Sequence, residues 1–379
     1  MTGARRSSLP VRPLRRSALA ACVLLAGCSS GGSPVTDEAA EPTTSAVEIG
    51  VTTTTRVVDG DPLSRDDITR LDFAPDSVAP DEAPLTGTGV ADVNLLARPA
   101  LAIKVDNVDS ARPQTGLVEA DLVYEELVEG GLTRLLAVYQ SEDPPLVGPV
   151  RSARSTDVPL LMPLKTPMFV WSGANTAFSD MLDRRAVADV GVEARPDGYL
   201  RRDDRNPPSD LYALTEVLRG FTADVALPPP PQFSYLPRGG DDGTDGPPVV
   251  GVAVEFGSTS VVHRWDDSRR GWAREQNGTP HVDEDGVQVA PENVIVQFVT
   301  YLDTGLVDAN GAAVPEAQIW EGQGTAWVLS GGRLTVGTWF KPNLTIETIF
   351  LDAEGDEIPV TRGRTWVLLA PEGAARVLD

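Results

Sequence analysis

Cysteine is almost absent from this chain: there are two, Cys22 and Cys28, and both lie near the start. If the first stretch is a cleaved leader and Cys28 is modified, no thiol is left for a disulfide, a zinc–thiolate site or a cysteine nucleophile. The fold must then hold by packing alone. Histidine is equally scarce. With only His263 and His281, one chain cannot build a three-histidine catalytic zinc site. Lysine is reduced to Lys104, Lys165 and Lys341, so nearly all positive charge is guanidinium. The one long apolar run, Ala18 to Ala26, is too short to span a bilayer as a helix. There is no Walker loop, no dinucleotide fingerprint and no Gly-x-Ser-x-Gly elbow.

What is present begins with a basic segment carrying Arg5, Arg6, Arg12, Arg15 and Arg16, then the apolar run, then Leu25-Ala26-Gly27-Cys28. This pattern reads as a lipoprotein signal peptide over 1–27, with Cys28 in a lipobox as the acceptor of a diacylglycerol thioether. Arg15-Arg16 also allows a twin-arginine export reading. Cleavage removes five arginines and no acid, which moves the net charge from −23 to −28. So acidic a body repels nucleic acid and anionic lipid. The expected place is the cell membrane, lipid-anchored on the extracytoplasmic face.

Residues 28–83 are rich in Ser, Thr, Gly, Pro and acidic side chains and read as a disordered tether. The expected fold beyond it is α+β: a mixed α/β N-terminal domain over 84–235, a linker over 236–248, and a mainly β C-terminal domain over 249–379. Thr176 to Val190 and Asp210 to Phe221 have helical spacing. Beyond residue 249, runs such as Val249–Phe256, Val294–Leu302 and Leu334–Phe340 read as strands, with Gly331-Gly332 as a hairpin turn. Six of seven tryptophans lie there. A sugar-binding platform is one reading of them. Core packing is favoured for Trp327 and Trp366, while Trp320 and Trp272 stay open.

The densest charge pattern runs from Arg98 to Arg154. Ala100–Val105 has the composition of a strand buried on both faces. Leu122–Val128 and Leu132–Tyr139 flank Glu129-Gly130-Gly131, and a two-residue Gly-Gly turn would set Leu127 opposite Arg134. Glu125, Glu129 and Arg134 would then share one face. Asp106, Glu125 and Glu129 are candidate acid/base groups. Arg112, Arg134, Arg151 and Arg154 are candidate anion-binding groups, since guanidinium forks onto carboxylate and phosphate. The bland alternative is that these charges neutralise one another. The stretch from His281 to Gly286 offers carboxylates and one imidazole without calcium-loop spacing, and an acidic turn is favoured; no metal or cofactor is expected.

The words Val105-Asp106-Asn107, Ala111-Arg112-Pro113-Gln114-Thr115-Gly116, Ala120-Asp121-Leu122-Val123-Tyr124-Glu125, Glu129-Gly130-Gly131-Leu132-Thr133-Arg134 and Gly148-Pro149-Val150-Arg151-Ser152-Ala153-Arg154 stand in order along the chain. In them it resembles the YerB-like bacterial lipoproteins, built around a domain of unknown function, from Pro84 to the C-terminus. The resemblance implies a membrane-anchored envelope lipoprotein and supplies no reaction. Two family words differ: a histidine often precedes the region of Ser172-Gly173, and Pro-His-Asn-Leu-Tyr often stands where this chain has Pro207-Pro208-Ser209-Asp210-Leu211-Tyr212. The expected function is a binding or scaffold module of the envelope with an arginine-lined anion pocket. An enzyme acting on cell-wall glycopolymers through Asp106, Glu125 and Glu129 is the alternative. Partners would be the membrane through the anchor, and an anionic wall polymer or an envelope protein.

Overall fold

Short β-rich runs separated by glycine and proline dominate the sequence, and strands dominate the computed structural model. It describes residues 62–64, 68, 78–174, 176–182, 184–221, 226–239, 243–308 and 311–379. The signal peptide, Cys28 and most of the tether lie outside the described residues. In chain order, the first strands are β1 (Leu101–Asp106), β2 (Leu122–Leu127), β3 (Thr133–Tyr139), β4 (Leu146–Val147), β5 (Met168–Val170), β6 (Ala188–Asp189), β7 (Tyr199–Arg201) and β8 (Leu211–Leu214). Then follow β9 (Gly251–Glu255), β10 (Ser260–Asp266), β11 (Gly271–Gln276), β12 (Thr279–Pro280), β13 (Asn293–Val299) and β14 (Tyr301–Val307). The last are β15 (Ala313–Ala317), β16 (Gly322–Ser330), β17 (Arg333–Lys341), β18 (Ile349–Leu351), β19 (Thr365–Pro371) and β20 (Ala375–Leu378).

Among the described residues α-helices are few and short: α1 (Asp157–Leu161), α2 (Thr176–Leu182) and α3 (Thr215–Arg219). This corrects the expected mixed α/β N-terminal part, because the chain is mainly β on both sides of residue 240. Pro159, Pro163 and Pro167 confine α1 to the first turn and a half. The expected helix over 210–221 is a strand, β8, followed by one turn and a half of α3. The helix from Thr176 ends at Leu182, and β6 occupies what would have been its second half.

The main sheet has ten strands in the order β18-β17-β16-β13-β19-β2-β3-β1-β5-β6. Strand β19 runs parallel to both neighbours, β13 and β2, and so stitches the two halves of the sequence into one sheet. The 236–248 stretch therefore does not interrupt the sheet. A second, five-stranded sheet, β12-β11-β10-β9-β20, covers one face. The cluster between the two sheets includes Val123, Leu135, Val294 and Trp366 from one and Val252, Val254, Val261 and Trp272 from the other. The opposite face of the main sheet buries Leu122, Leu136, Val138, Ile295 and Val367 under Val158, Leu161, Phe178, Phe233 and Ile358. Trp272 and Trp366 are core residues, Trp327 is half-buried against the core, and Trp320 is half-buried with its indole N–H on Glu316 at 3.1 Å.

Two glycine pairs behave differently. Gly331-Gly332 is the expected two-residue turn, with φ of 57° and 76° and Ser330 facing Arg333. Gly130-Gly131 is not. Leu127 faces Thr133, the Val128 N–H donates to the Leu132 carbonyl at 2.8 Å, and the loop is Glu129-Gly130-Gly131. The reason lies across the sheets: Ser258 N–H donates to the Gly131 carbonyl at 3.0 Å, and a Cβ on Gly131 would meet Ser258 N at 2.7 Å. The register is one residue away from the expected pairing, and a one-residue slip exchanges the faces.

Both glycines have φ near 70°, but only Gly131 is crowded; Gly130 has open space around it. Gly131→Ala should therefore cost about 2 kcal/mol or more in urea unfolding, against about 1 kcal/mol for Gly130→Ala.

Candidate functional site

Strand alternation sends consecutive residues of β2 to opposite faces. Glu125 and Glu126 are both fully buried, and each enters a different polar cluster.

Glu125 points into the space between the sheets. Arg274 of β11 donates from Nη2 to both its oxygens at 2.9 Å, with both side chains fully buried. Thr133 donates to Oε1 at 2.9 Å, Asn107 to Oε1 at 3.2 Å, and the Trp366 indole to Oε2 at 3.2 Å. The guanidinium of Arg274 also lies 5.0 Å from the Trp366 ring centre and bonds His281 Nδ1. His281 Nε2 meets Gln114 Oε1 at 2.8 Å, which makes Nε2 the protonated nitrogen and Nδ1 the acceptor. Burial, then Arg274 and Arg112, hold the imidazole well below its usual range, so it is neutral. Arg112 reaches Asp109 and the Gln276 carbonyl, beside this network. Asp283 accepts the N–H groups of Gly116 and Leu117 at 2.9 and 3.2 Å, which makes the acidic turn a structural one.

Glu126 faces the other way, opposite Arg134 in the register. Lys104 is fully buried between Glu126 and Asp157, bonding the first closely and the second at 2.7 Å. Burial, then the neighbouring Asp157, push the Glu126 carboxyl up to about 7, with Lys104 opposing, and its Oε2 has no hydrogen-bond partner among the described residues. One ammonium between two carboxylates leaves a group on the edge of protonation at neutral pH.

Next to this triad three guanidiniums converge. Arg154 forks onto Glu129, Nε to Oε1 at 2.6 Å and Nη2 to Oε2 at 2.8 Å. Arg151 pairs with the buried Asp106 at 3.0 Å, and Asp106 also meets the Ser209 hydroxyl at 3.3 Å. Arg134 is 8% exposed and donates to the Ser152 carbonyl at 3.0 Å; among the described residues no carboxylate pairs with it. Burial, then Arg154 and Arg151, lower its pKa to about 10. Of the four candidate anion-binding arginines, three come together and Arg112 does not. The three candidate carboxylates do not form one site: Asp106 and Glu129 sit at the guanidinium cluster, paired with Arg151 and Arg154, while Glu125 pairs with Arg274 between the sheets. Glu125 does not share the face of Arg134, because of the register shift. Sequence reasoning missed Lys104, Glu126, Asp157 and Arg274.

Two family models match the chain: the N-terminal domain of a protein of unknown function (DUF3048) over residues 85–226, and its C-terminal domain over 252–367. The chain belongs to this family. The "Putative lipoprotein YerB" of Bacillus subtilis (strain 168) is 27% identical over 307 residues, spanning 79% of this chain and 89% of that one. The crystal structure of YerB protein from Bacillus subtilis matches with a TM-score of 0.67 at 25% identity, covering 79% of this chain and 99% of the other. Within this DUF3048 fold, the Glu125–Arg274 pair joins the two family segments, and the guanidinium cluster belongs to the first alone.

The raised Glu126 carboxyl sets a pH dependence. A carboxyl whose folded pKa exceeds its unfolded value contributes stability that is complete below the unfolded value and lost as pH rises through about 7. Between pH 6 and 8 the chain should lose about 1 kcal/mol on this account. Chemical unfolding of wild type and Glu126→Gln side by side checks it: the variant should gain on wild type across this window.

Proposed function

We propose that this chain is a lipid-anchored, extracytoplasmic binding module of the cell envelope whose contact point is the cluster of Arg134, Arg151 and Arg154. The anchor reading rests on the lipobox ending in Cys28 and on the likeness to the "Putative lipoprotein YerB". Among the described residues, no helix is long and apolar enough to cross a membrane.

One observation carries the anion-binding reading. Arg134 is buried beside two other guanidiniums, and among the described residues no carboxylate pairs with it directly, Glu129 and Asp106 being taken up by Arg154 and Arg151. Like charges brought together in a low dielectric cost stability, and a charge-assisted partner is what such a site lacks. An incoming phosphate or carboxylate offers it: bidentate oxygens for a planar fork of donors. In so acidic a body an anion would be selected here by contact and not by long-range attraction. A phosphate- or carboxylate-bearing envelope polymer has the required chemistry. The acid/base enzyme reading draws less support, since its three carboxylates are separately paired with arginine.

Sulfate should raise the melting temperature of the full chain where chloride at equal ionic strength does not. Arg134→Met should abolish that shift while leaving the unliganded protein as stable as wild type or more so. Equal melting in sulfate and chloride, or collapse of the fold in Arg134→Met, goes against the reading. For the anchor, Cys28→Ser should release the protein from the membrane fraction, and mass spectrometry should find diacylglycerol on Cys28 of the wild type.

A further inference from the structure

A cavity of about 300 Å³ opens beside Arg154, between α2 and the β14–β15 hairpin. Its apolar walls are Phe178 and Met181 of α2, Leu306 of β14 and Val314 of β15. Arg154 and Ser155 line it at one side. The volume is at the small end of ligand pockets, and the lining, mostly apolar with a few convergent polar groups, is of the kind such pockets have.

The polar side holds unused donors. The Ser155 hydroxyl is buried and has no hydrogen-bond partner among the described residues. Arg154 gives Nε and one N–H of Nη2 to Glu129 and one N–H of Nη1 to the Ala153 carbonyl. A guanidinium has five N–H groups, so two remain. The cavity also has a carboxylate, Glu316, but its Oε1 is engaged by the Trp320 indole at 3.1 Å and the Gln318 amide at 3.3 Å. On the same hairpin Leu302 and Val307 are more than half exposed.

We infer that this cavity takes an amphiphilic anion, a phosphate or carboxylate carried on an alkyl-type chain. The head sits on Ser155 and the free N–H groups of Arg154; the first carbons of the chain lie among Phe178, Met181, Leu306 and Val314. The inference rests on the anion-binding reading, because Arg154 belongs to the same guanidinium cluster, and it names the ligand class: a hydrophilic polymer would leave the apolar walls empty.

Isothermal titration of the full chain with octyl phosphate, octanoate, inorganic phosphate and octyl glucoside separates the possibilities. Octyl phosphate or octanoate should bind at least tenfold more tightly than both inorganic phosphate and octyl glucoside. Met181→Trp, which fills the apolar part, should weaken that amphiphile at least tenfold and leave inorganic phosphate unchanged. If that variant does not fold, Ser155→Ala is read instead and should weaken the amphiphile severalfold. Inorganic phosphate matching both amphiphiles would overturn the inference and leave the guanidinium site standing. Octyl glucoside matching them would overturn it too, as would binding unaffected by whichever variant is read. No binding of any anion would overturn both readings.

Discussion

The Glu125–Arg274 pair is the interaction on which the two-sheet arrangement turns. It is an ion pair without solvent, and its two partners come from strands 149 residues apart in the chain. Burying either charge alone would cost several kcal/mol. Together with Thr133, Asn107, Trp366 and His281 they form a buried network that ties β11 to β2. A hydrophobic contact there would tolerate sliding. This one does not, and nearby the hairpin at Gly130-Gly131 is held against the 256–259 loop by Ser258.

The alternation of β2 gives this constraint a second face. Glu125 supports the interior between the sheets, while Glu126 and Lys104 carry charge to the opposite side, where Asp157 and the three arginines gather. The two sides differ in how their charges are paired. On the first, carboxylate and guanidinium pair with each other, and Arg274 Nε has no partner among the described residues. On the second, Glu126 keeps an unpaired oxygen, Arg134 lacks a carboxylate and Ser155 lacks a partner among the described residues. Unfinished polar networks in otherwise well-packed proteins mark places where a ligand, rather than the chain, completes the bonding.

Much of this was legible in the residues. The β character after residue 249 follows from β-branched and aromatic runs, and Gly331-Gly332 closes the turn its composition demands. The density of charge near strands singles out Arg112, Arg134, Arg151 and Arg154; the last three lie together and Arg112 lies apart. The partners were not. Arg274 stands in Arg269-Arg270-Gly271-Trp272-Ala273-Arg274-Glu275, a charged stretch that does not look like a strand until β10 lies beside it. Glu126 was hidden by a register that depends on Ser258, a residue from the other sheet, so no local pattern could reveal it. The helices are shorter than their spacing suggests, because the amphipathic pattern over 210–221 fits a strand followed by a single turn equally well.

Strand β19 has a kinetic meaning as well. Without residues 365–371 the ten strands fall into two groups, four on one side and five on the other, and β2 presents a bare edge. Pairing Thr365 with Leu122 closes a loop of more than two hundred residues, so sheet completion waits for nearly the whole polypeptide to emerge. Until then, exposed main-chain groups on β2 and β13 are open to mispairing with other chains. A protein synthesised from its N-terminus thus acquires its continuous core last, at the far side of its own length.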